Sequence, residues 1–246
     1  MTTGTLISHL LELRTRLMRM VIALLVVFVG CATFANDLFE WLSRPLRAAL
    51  PQGSSMATMS VMGAFTTPFV LSFYIALAIT MPYLLWEIWG FVKPGLYRHE
   101  KRFAMPLFVS SVVLFYAGMA FSFFLVFPGI FEFLVATTPN GVKMQTDINE
   151  YVSFAMMMFL SFGFAFEVPI VVILLVVTGL MSIEKLTSSR GYVIVAIFVV
   201  SAVITPTTDA ISQLAMAGPM YILYESGVIV ARLMLKMRRK EIVPET

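Results

Sequence analysis

The feature that most constrains this chain is the alternation of long apolar runs with short charged gaps. Six runs cover residues 20–35, 68–91, 103–126, 151–178, 191–204 and 211–231. Backbone N–H and C=O groups find no partner in lipid, so a chain crosses a bilayer only as a helix or as part of a closed barrel. About 20 apolar residues are enough for a helix that spans the hydrocarbon core. The pattern therefore predicts an all-α polytopic membrane protein with six transmembrane helices.

The composition agrees with this fold class. Apolar residues make up 59% of the chain and charged residues only 13%, whereas a soluble domain carries about 25% charged residues. We expect one integral membrane domain over residues 1–246 and no soluble globular domain. No basic run in a polar segment is interleaved with aromatic residues, so nucleic acid is not an expected partner.

The fifth run, residues 191–204, is short for a membrane span. At about 1.5 Å per residue its helix reaches about 21 Å, against a hydrocarbon core of about 30 Å. This helix is expected to thin the bilayer locally or to be sheltered by its neighbours.

The distribution of Lys and Arg predicts the orientation. Three of the 17 cationic residues, Arg44, Arg47 and Lys143, fall in the gaps after the first and third runs. The others lie in the N-terminal segment, in the gaps after the second and fourth runs, and in the C-terminal tail. Because cytoplasmic segments carry the excess of positive charge, both termini are expected in the cytoplasm. Residues 37–49 then form an outer amphipathic segment, which could cap one face of a helix bundle.

Two cytoplasmic segments hold candidate binding residues. Residues 8–17 place leucines at helical spacing, which is typical of a helix lying on a membrane surface. Glu12 in this segment has the i,i+4 spacing of an ion pair with Arg16. In residues 91–102, Glu100 is the lone carboxylate among four cations, and charge neutralisation alone could account for it.

Glu167 lies well inside the fourth run. An ionised group at the centre of a span costs about 2.5–3.5 kcal/mol on insertion scales, so this carboxyl is expected to face a cavity or partner, or to be protonated. Pro169 lacks a backbone N–H, which predicts a kink beside it. Two interpretations stay open: a water-lined groove that perturbs the bilayer, or a structural acid bonded to a neighbouring helix. Gln213 and Glu225 in the sixth run are possible contributors.

The two cytoplasmic segments resemble a known family. Residues 8–17, Ser-His-Leu-Leu-Glu-Leu-Arg-Thr-Arg-Leu, are similar to the opening signature of the TatC family, the receptor subunit of the twin-arginine translocase. Residues 91–100, Phe-Val-Lys-Pro-Gly-Leu-Tyr-Arg-His-Glu, are similar to its second signature. Further matches follow in order over nearly the whole chain: Phe127-Pro128, Thr146-Asp147, Phe162-Gly163, Phe166-Glu167, Pro169, Thr205-Pro206 and Ser212-Gln213. The family usually places its aspartate directly after a Thr-Pro-Pro turn, whereas Thr207 and Thr208 precede Asp209 here.

The resemblance implies a receptor for folded proteins whose signal peptides carry two consecutive arginines. It implies a concave six-helix bundle in the bacterial inner membrane, working in an oligomeric complex with single-span TatA-like and TatB-like subunits and driven by the proton motive force. It assigns signal binding to Glu12, Arg14, Phe91, Pro94, Leu96, Tyr97, Glu100, Lys101 and Arg102. It assigns partner docking within the membrane to Glu167, Gln213 and Glu225, and it also matches external-loop residues Pro45, Asp147 and Asp209.

Two other functions fit the sequence less well. A proton-coupled small-solute transporter could use Glu167 as its relay, although that function leaves the two cytoplasmic carboxylate motifs unexplained. An intramembrane hydrolase is not expected, because both histidines lie outside the runs and the aspartates lie at or beyond their ends. No cofactor or metal site is expected, since Cys31 is the only cysteine and His9 and His99 lack further ligands.

Overall fold

The computed structural model describes residues 3–40, 55–57, 60–92, 101–137, 145–204 and 210–242. The helices are α1 (Thr3–Thr33), α2 (35–40), α3 (Val61–Val92), α4 (Lys101–Phe121), α5 (Phe127–Thr137), α6 (Ile148–Ala165), α7 (Val168–Val177), α8 (Ile183–Ser188), α9 (Arg190–Ile204) and α10 (Ala210–Ile242). The strands are β1 (Ser55–Ala57) and β2 (Gln145–Asp147). The chain forms two compact units, one of Met1–Val92 with Phe131–Met157 and the other of Lys93–Ile130 with Met158–Thr246. The single domain expected over residues 1–246 stays a prediction.

In the first unit, α1 packs against α3. The sequence predicts a surface helix followed by a span from residue 20, but the structure has one continuous helix over Thr3–Thr33, and this part of the prediction is wrong. The physical reason is that neither glycine nor proline interrupts residues 5–29, so the apolar stripe of the first segment runs directly into the span. The apolar stretch accordingly begins at Ser8, and none of its most apolar window is buried by protein.

Helix α3 contributes five buried apolar residues to the core of the first unit: Leu71, Ala76, Met81, Leu85 and Trp89. Its hydroxyl side chains bond back to the helix: Thr67 Oγ1 donates to Gly63 O at 2.6 Å, and Ser72 Oγ donates to Pro68 O at 2.7 Å. These bonds satisfy polar atoms inside an apolar helix. Strands β1 and β2 pair in parallel, with Met56 opposite Thr146. They are a small addition to the predicted all-α architecture.

In the second unit, α4 passes through a π-helical turn, Ser122–Val126, into α5. Phe127 N donates to Ser122 O across this turn. Pro128 follows directly and cannot donate a backbone hydrogen bond, which accounts for a register change at this point.

The fourth apolar run is interrupted between α6, which ends at Ala165, and α7, which begins at Val168. Glu167 and Pro169 lie at this break, so the predicted kink is confirmed. Helix α7 packs against α10. Gly227 permits this contact, because a Cβ there would overlap the Cα of Pro169.

Among the described residues, four stretches are long and apolar enough to cross a membrane: Ser8–Thr33, Phe65–Val92, Ala104–Ile130 and Ile148–Val177. Helix α9 has 15 residues and is shorter, as expected for the fifth run. The sixth run lies within the 33 residues of α10. All six predicted runs therefore coincide with helices.

Candidate functional site

A guanidinium held between two carboxylates is the main polar cluster of the first unit. Arg16 donates from Nε and Nη2 to Glu12 Oε1, at 3.0 and 2.8 Å. Its Nη1 donates to Glu87 Oε2 at 2.9 Å. The i,i+4 pair expected from the sequence is confirmed, and Glu87 is a second acid that the sequence reasoning missed.

Helical spacing on both sides builds this cluster. On α1, Glu12 and Arg16 lie one turn apart and share a face. On α3, Tyr83 and Glu87 have the same spacing, and the Tyr83 hydroxyl donates to Glu87 Oε1 at 3.1 Å. Because α1 and α3 pack together, the guanidinium of one helix reaches the acid of the other.

Burial differs strongly between the two acids. The side chain of Glu87 is 6% exposed, whereas that of Glu12 is 38% exposed. A buried carboxylate is costly unless it is paired and hydrogen-bonded. Glu87 meets this need through Tyr83 and Arg16, with Arg19 Nη1 a further 3.9 Å from Oε1. Glu87 is therefore fixed in place, while Glu12 stays accessible to a ligand.

The aromatic residue expected in the binding surface lies beside this cluster. Phe91, near the end of α3, stacks on His9 of α1 with ring centroids 4.3 Å apart and an interplanar angle of 20°. Arg14 is exposed on α1. At about 100° per residue it points about 200° away from Glu12, so the helix does not bring these two predicted site residues together.

Several predicted site residues lie outside the described part of the chain: Pro45, Pro94, Leu96, Tyr97, Glu100 and Asp209. Lys101 and Arg102 begin α4, but their side chains are not among the described parts of the structure. Asp147 is described, and its Oδ1 accepts from Asn149 N at 2.8 Å at the start of α6. Because Glu100 lies outside the described residues, the distance between the carboxyls of Glu12 and Glu100 does not belong to the observed geometry.

Glu167 lies in the second unit, at the break between α6 and α7. Ser111 Oγ of α4 donates to its Oε2 at 2.5 Å. Oε1 is buried and has no hydrogen-bond partner among the described residues. The bond to α4 is the one expected of a structural acid, while the second oxygen keeps its capacity to accept. Both interpretations of Glu167 therefore keep a basis in the structure.

Gln213 and Glu225 form hydrogen bonds with α9 and not with Glu167. Gln213 Nε2 donates to Phe198 O at 3.0 Å. Glu225 accepts from Arg190 Nη2 at 2.7 Å and from the Tyr221 hydroxyl at 2.9 Å. These bonds fix α9 against α10, and the structure does not join the three predicted intramembrane residues into one cluster.

The sequence indicates Glu87, Tyr83 and Ser111 as functional residues to different degrees. Glu87 lies inside the second apolar run, so the criterion that singled out Glu167 would have found it. Tyr83 follows from the i,i+4 spacing only once Glu87 is noticed. Ser111 carries no sequence signal, since its role depends on which face of α4 packs towards Glu167.

Comparisons with known proteins agree with one another. The family model described as "Sec-independent protein translocase protein (TatC)" matches residues 8–219. A protein of that name from Azotobacter chroococcum mcd 1 is 50% identical over 223 residues, covering 91% of this chain and 87% of the relative. One from Escherichia coli (strain K12) is 47% identical over 230 residues, covering 94% and 89%.

A crystal structure described as the "Twin Arginine Translocase Receptor- TatC" superimposes with a TM-score of 0.83. It is 34% identical and the match covers 92% of this chain and 98% of that one. The likeness confirms the predicted all-α membrane fold with six transmembrane helices. The concave form of the bundle stays a prediction.

Proposed function

The chain belongs to the TatC family of Sec-independent protein translocase proteins, and from that premise we propose that it recognises the twin-arginine signal through carboxylates at the start of α1 and in residues 91–102. It is a core subunit of the translocase and not an enzyme. The alternative, a proton-coupled transporter using Glu167, finds no support in the family assignment.

The observation that supports the proposal is the exposure and hydrogen bonding of Glu12. Its carboxylate is partly exposed and already accepts two hydrogen bonds from a guanidinium, that of Arg16. Charge-assisted bonds to a planar fork favour arginine over lysine, which offers a compact point charge. A site of this kind distinguishes the two cations without any chemical step.

The other binding residues are proposed around Glu12. Phe91 lies on α3 next to His9, on the helix pair that carries Glu12. Glu100 is the proposed second acid, and Pro94, Leu96, Tyr97, Lys101 and Arg102 are proposed to contribute further contacts with the signal peptide. Arg14 contributes from another face of α1, where it can contact a different part of the signal peptide or an anionic lipid.

The proposed partners are single-span TatA-like and TatB-like subunits in an oligomeric complex powered by the proton motive force. Glu167 is a proposed docking position, because Oε1 keeps an acceptor for a polar group from a partner helix. Gln213 and Glu225 support docking indirectly by fixing α9 to α10. The proposed location is the bacterial inner membrane with both termini in the cytoplasm.

Binding of labelled signal peptides to the full chain in detergent tests recognition. Replacing Arg-Arg by Lys-Lys is expected to weaken binding at least tenfold, which corresponds to about 1.4 kcal/mol. Glu12→Gln and Glu100→Gln are each expected to weaken Arg-Arg binding by a similar factor, because each removes one charged acceptor. Glu184→Gln, at an exposed acid on α8, is the control and should leave binding unchanged. Equal affinity for the two peptides would contradict the proposal.

A further inference from the structure

We propose that Glu12 and Glu87, with Tyr83 and Gly90, form a guanidinium site that Arg16 fills in the resting protein, and that an arginine of the signal peptide binds there by displacing Arg16. This inference rests on the proposed recognition of arginine signals and adds a second acid and an internal competitor to it. Its ligand class is the guanidinium group of a peptide arginine.

The hydrogen bonds define the site. Three donor atoms of Arg16 are used: Nε and Nη2 bind Glu12, and Nη1 binds Glu87. Nη1 also lies 3.5 Å from the main-chain oxygen of Glu87. A guanidinium has a fixed planar fork of donors, so acceptors placed around it in this way select for its shape.

The backbone around the site leaves room for this head group. A Cβ on Gly90 would overlap Nη1 of Arg16 and come close to the rest of its guanidinium. The guanidinium thus lies directly on the α3 backbone, one turn beyond Glu87. Tyr83 holds the other oxygen of Glu87, so the acid keeps its orientation whichever guanidinium is bound.

Exposure allows exchange. The Arg16 side chain is 22% exposed and Glu12 38%, so the site is open on the Glu12 side while Glu87 forms its buried wall. A peptide arginine can make the same bonds as Arg16, and the exchange therefore leaves the bonding of both acids unchanged. Arg16, on a flexible side chain, then moves to solvent.

An internal ligand of this kind sets a threshold for binding. A tethered group competes at an effective concentration in the millimolar range, so a single free arginine displaces Arg16 poorly. A peptide that is held by a second contact next to the site competes intramolecularly and can displace it. The requirement for two adjacent arginines follows directly, since one must be anchored while the other exchanges.

Methylguanidinium tests the site without any signal peptide. In Arg16→Ala, Glu12 and Glu87 lose the guanidinium that binds them in the wild-type chain. Millimolar methylguanidinium should therefore raise the midpoint of thermal unfolding of this variant above the midpoint in the same concentration of methylammonium. The wild-type chain, whose site is filled, should show no difference between the two cations. The double variant Arg16→Ala/Glu87→Gln should lose the effect. Equal midpoints for Arg16→Ala in the two cations would overturn the site.

Peptide binding tests the displacement. If Arg16 fills the site about nine-tenths of the time, removing it tightens binding about tenfold. Arg16→Gln should therefore bind the Arg-Arg peptide several-fold more tightly than wild type. Arg16→Lys keeps the charge but lacks the planar fork of donors, so its affinity for the peptide should lie between those of wild type and Arg16→Gln. Arg19→Gln is the charge-matched control on the same helix and should change affinity less, because Arg19 is 3.9 Å from Glu87 and 60% exposed.

The two failures are distinguishable. If Arg16 is only a structural ion pair, Arg16→Gln and Arg16→Lys bind the peptide no more tightly than wild type. The inference is then wrong even if Glu12→Gln and Glu100→Gln weaken peptide binding as proposed. If recognition itself is wrong, Lys-Lys and Arg-Arg peptides bind equally in every variant.

Discussion

At Glu87, two helices share one carboxylate. Tyr83 binds one oxygen from within α3, and Arg16 binds the other from α1. Glu87 is 5% exposed, so water cannot replace a lost partner. The acid therefore joins α1 to α3, near the end of α3.

Glu87→Leu is expected to lower the free energy of unfolding by about 1–3 kcal/mol, because Arg16 Nη1 and the Tyr83 hydroxyl both lose their carboxylate acceptor. The loss stays below that of a fully buried pair, since Arg16 is partly exposed and can reach water. Denaturant unfolding in detergent measures the difference. Glu184→Leu is the matched control at an exposed acid, and a similar loss in both variants would contradict this assignment.

Among the elements, α4 approaches α6 closely at a glycine. A Cβ on Gly118 would overlap the main-chain oxygen of Phe162 and the ring of Phe166. Backbone atoms cannot move aside as a flexible side chain can. The close approach places Ser111, two turns earlier on α4, within hydrogen-bond distance of Glu167.

Gly118→Ala should therefore destabilise the protein by about 1–3 kcal/mol, the usual cost of overpacking. Gly129→Ala in α5 is the control, since nothing lies within 4 Å of its added Cβ. Thermal unfolding of the two purified variants provides the comparison. Equal midpoints for both variants would show that α4 does not pack as described.

The positions of the helices can be predicted closely from the sequence, whereas the residue pairs that join one helix to another cannot. Apolar runs give all six helices because lipid imposes length and composition on each one separately. The break at Glu167 also follows, since Pro169 acts within its own helix. The pairing of Arg16 with Glu87 joins residues 71 positions apart and depends on how α1 rotates against α3, which no local pattern specifies. The continuous α1 was missed because a surface stripe and a span share the same period of apolar residues.

At the scale of the whole molecule, the proposed signal site requires the positive-inside orientation. Lys143 and Lys185 lie between apolar runs, in parts of the sequence predicted on opposite sides of the membrane, and Cys31 is the only cysteine. In a Cys31→Ser background, Lys143→Cys should react with a membrane-impermeant maleimide added outside intact spheroplasts, and Lys185→Cys should react only after lysis. The reverse pattern would invert the topology and move the proposed signal site to the wrong side.

We propose that acids at the inner membrane edge select the cargo by its arginine head groups. Export of a folded reporter carrying an Arg-Arg signal measures it most directly, in cells whose own copy is replaced by the Glu12→Ala/Glu100→Ala variant. Export should fall to the level seen with a Lys-Lys signal, while the variant accumulates in the membrane at the wild-type amount. Export at the full wild-type rate would contradict it.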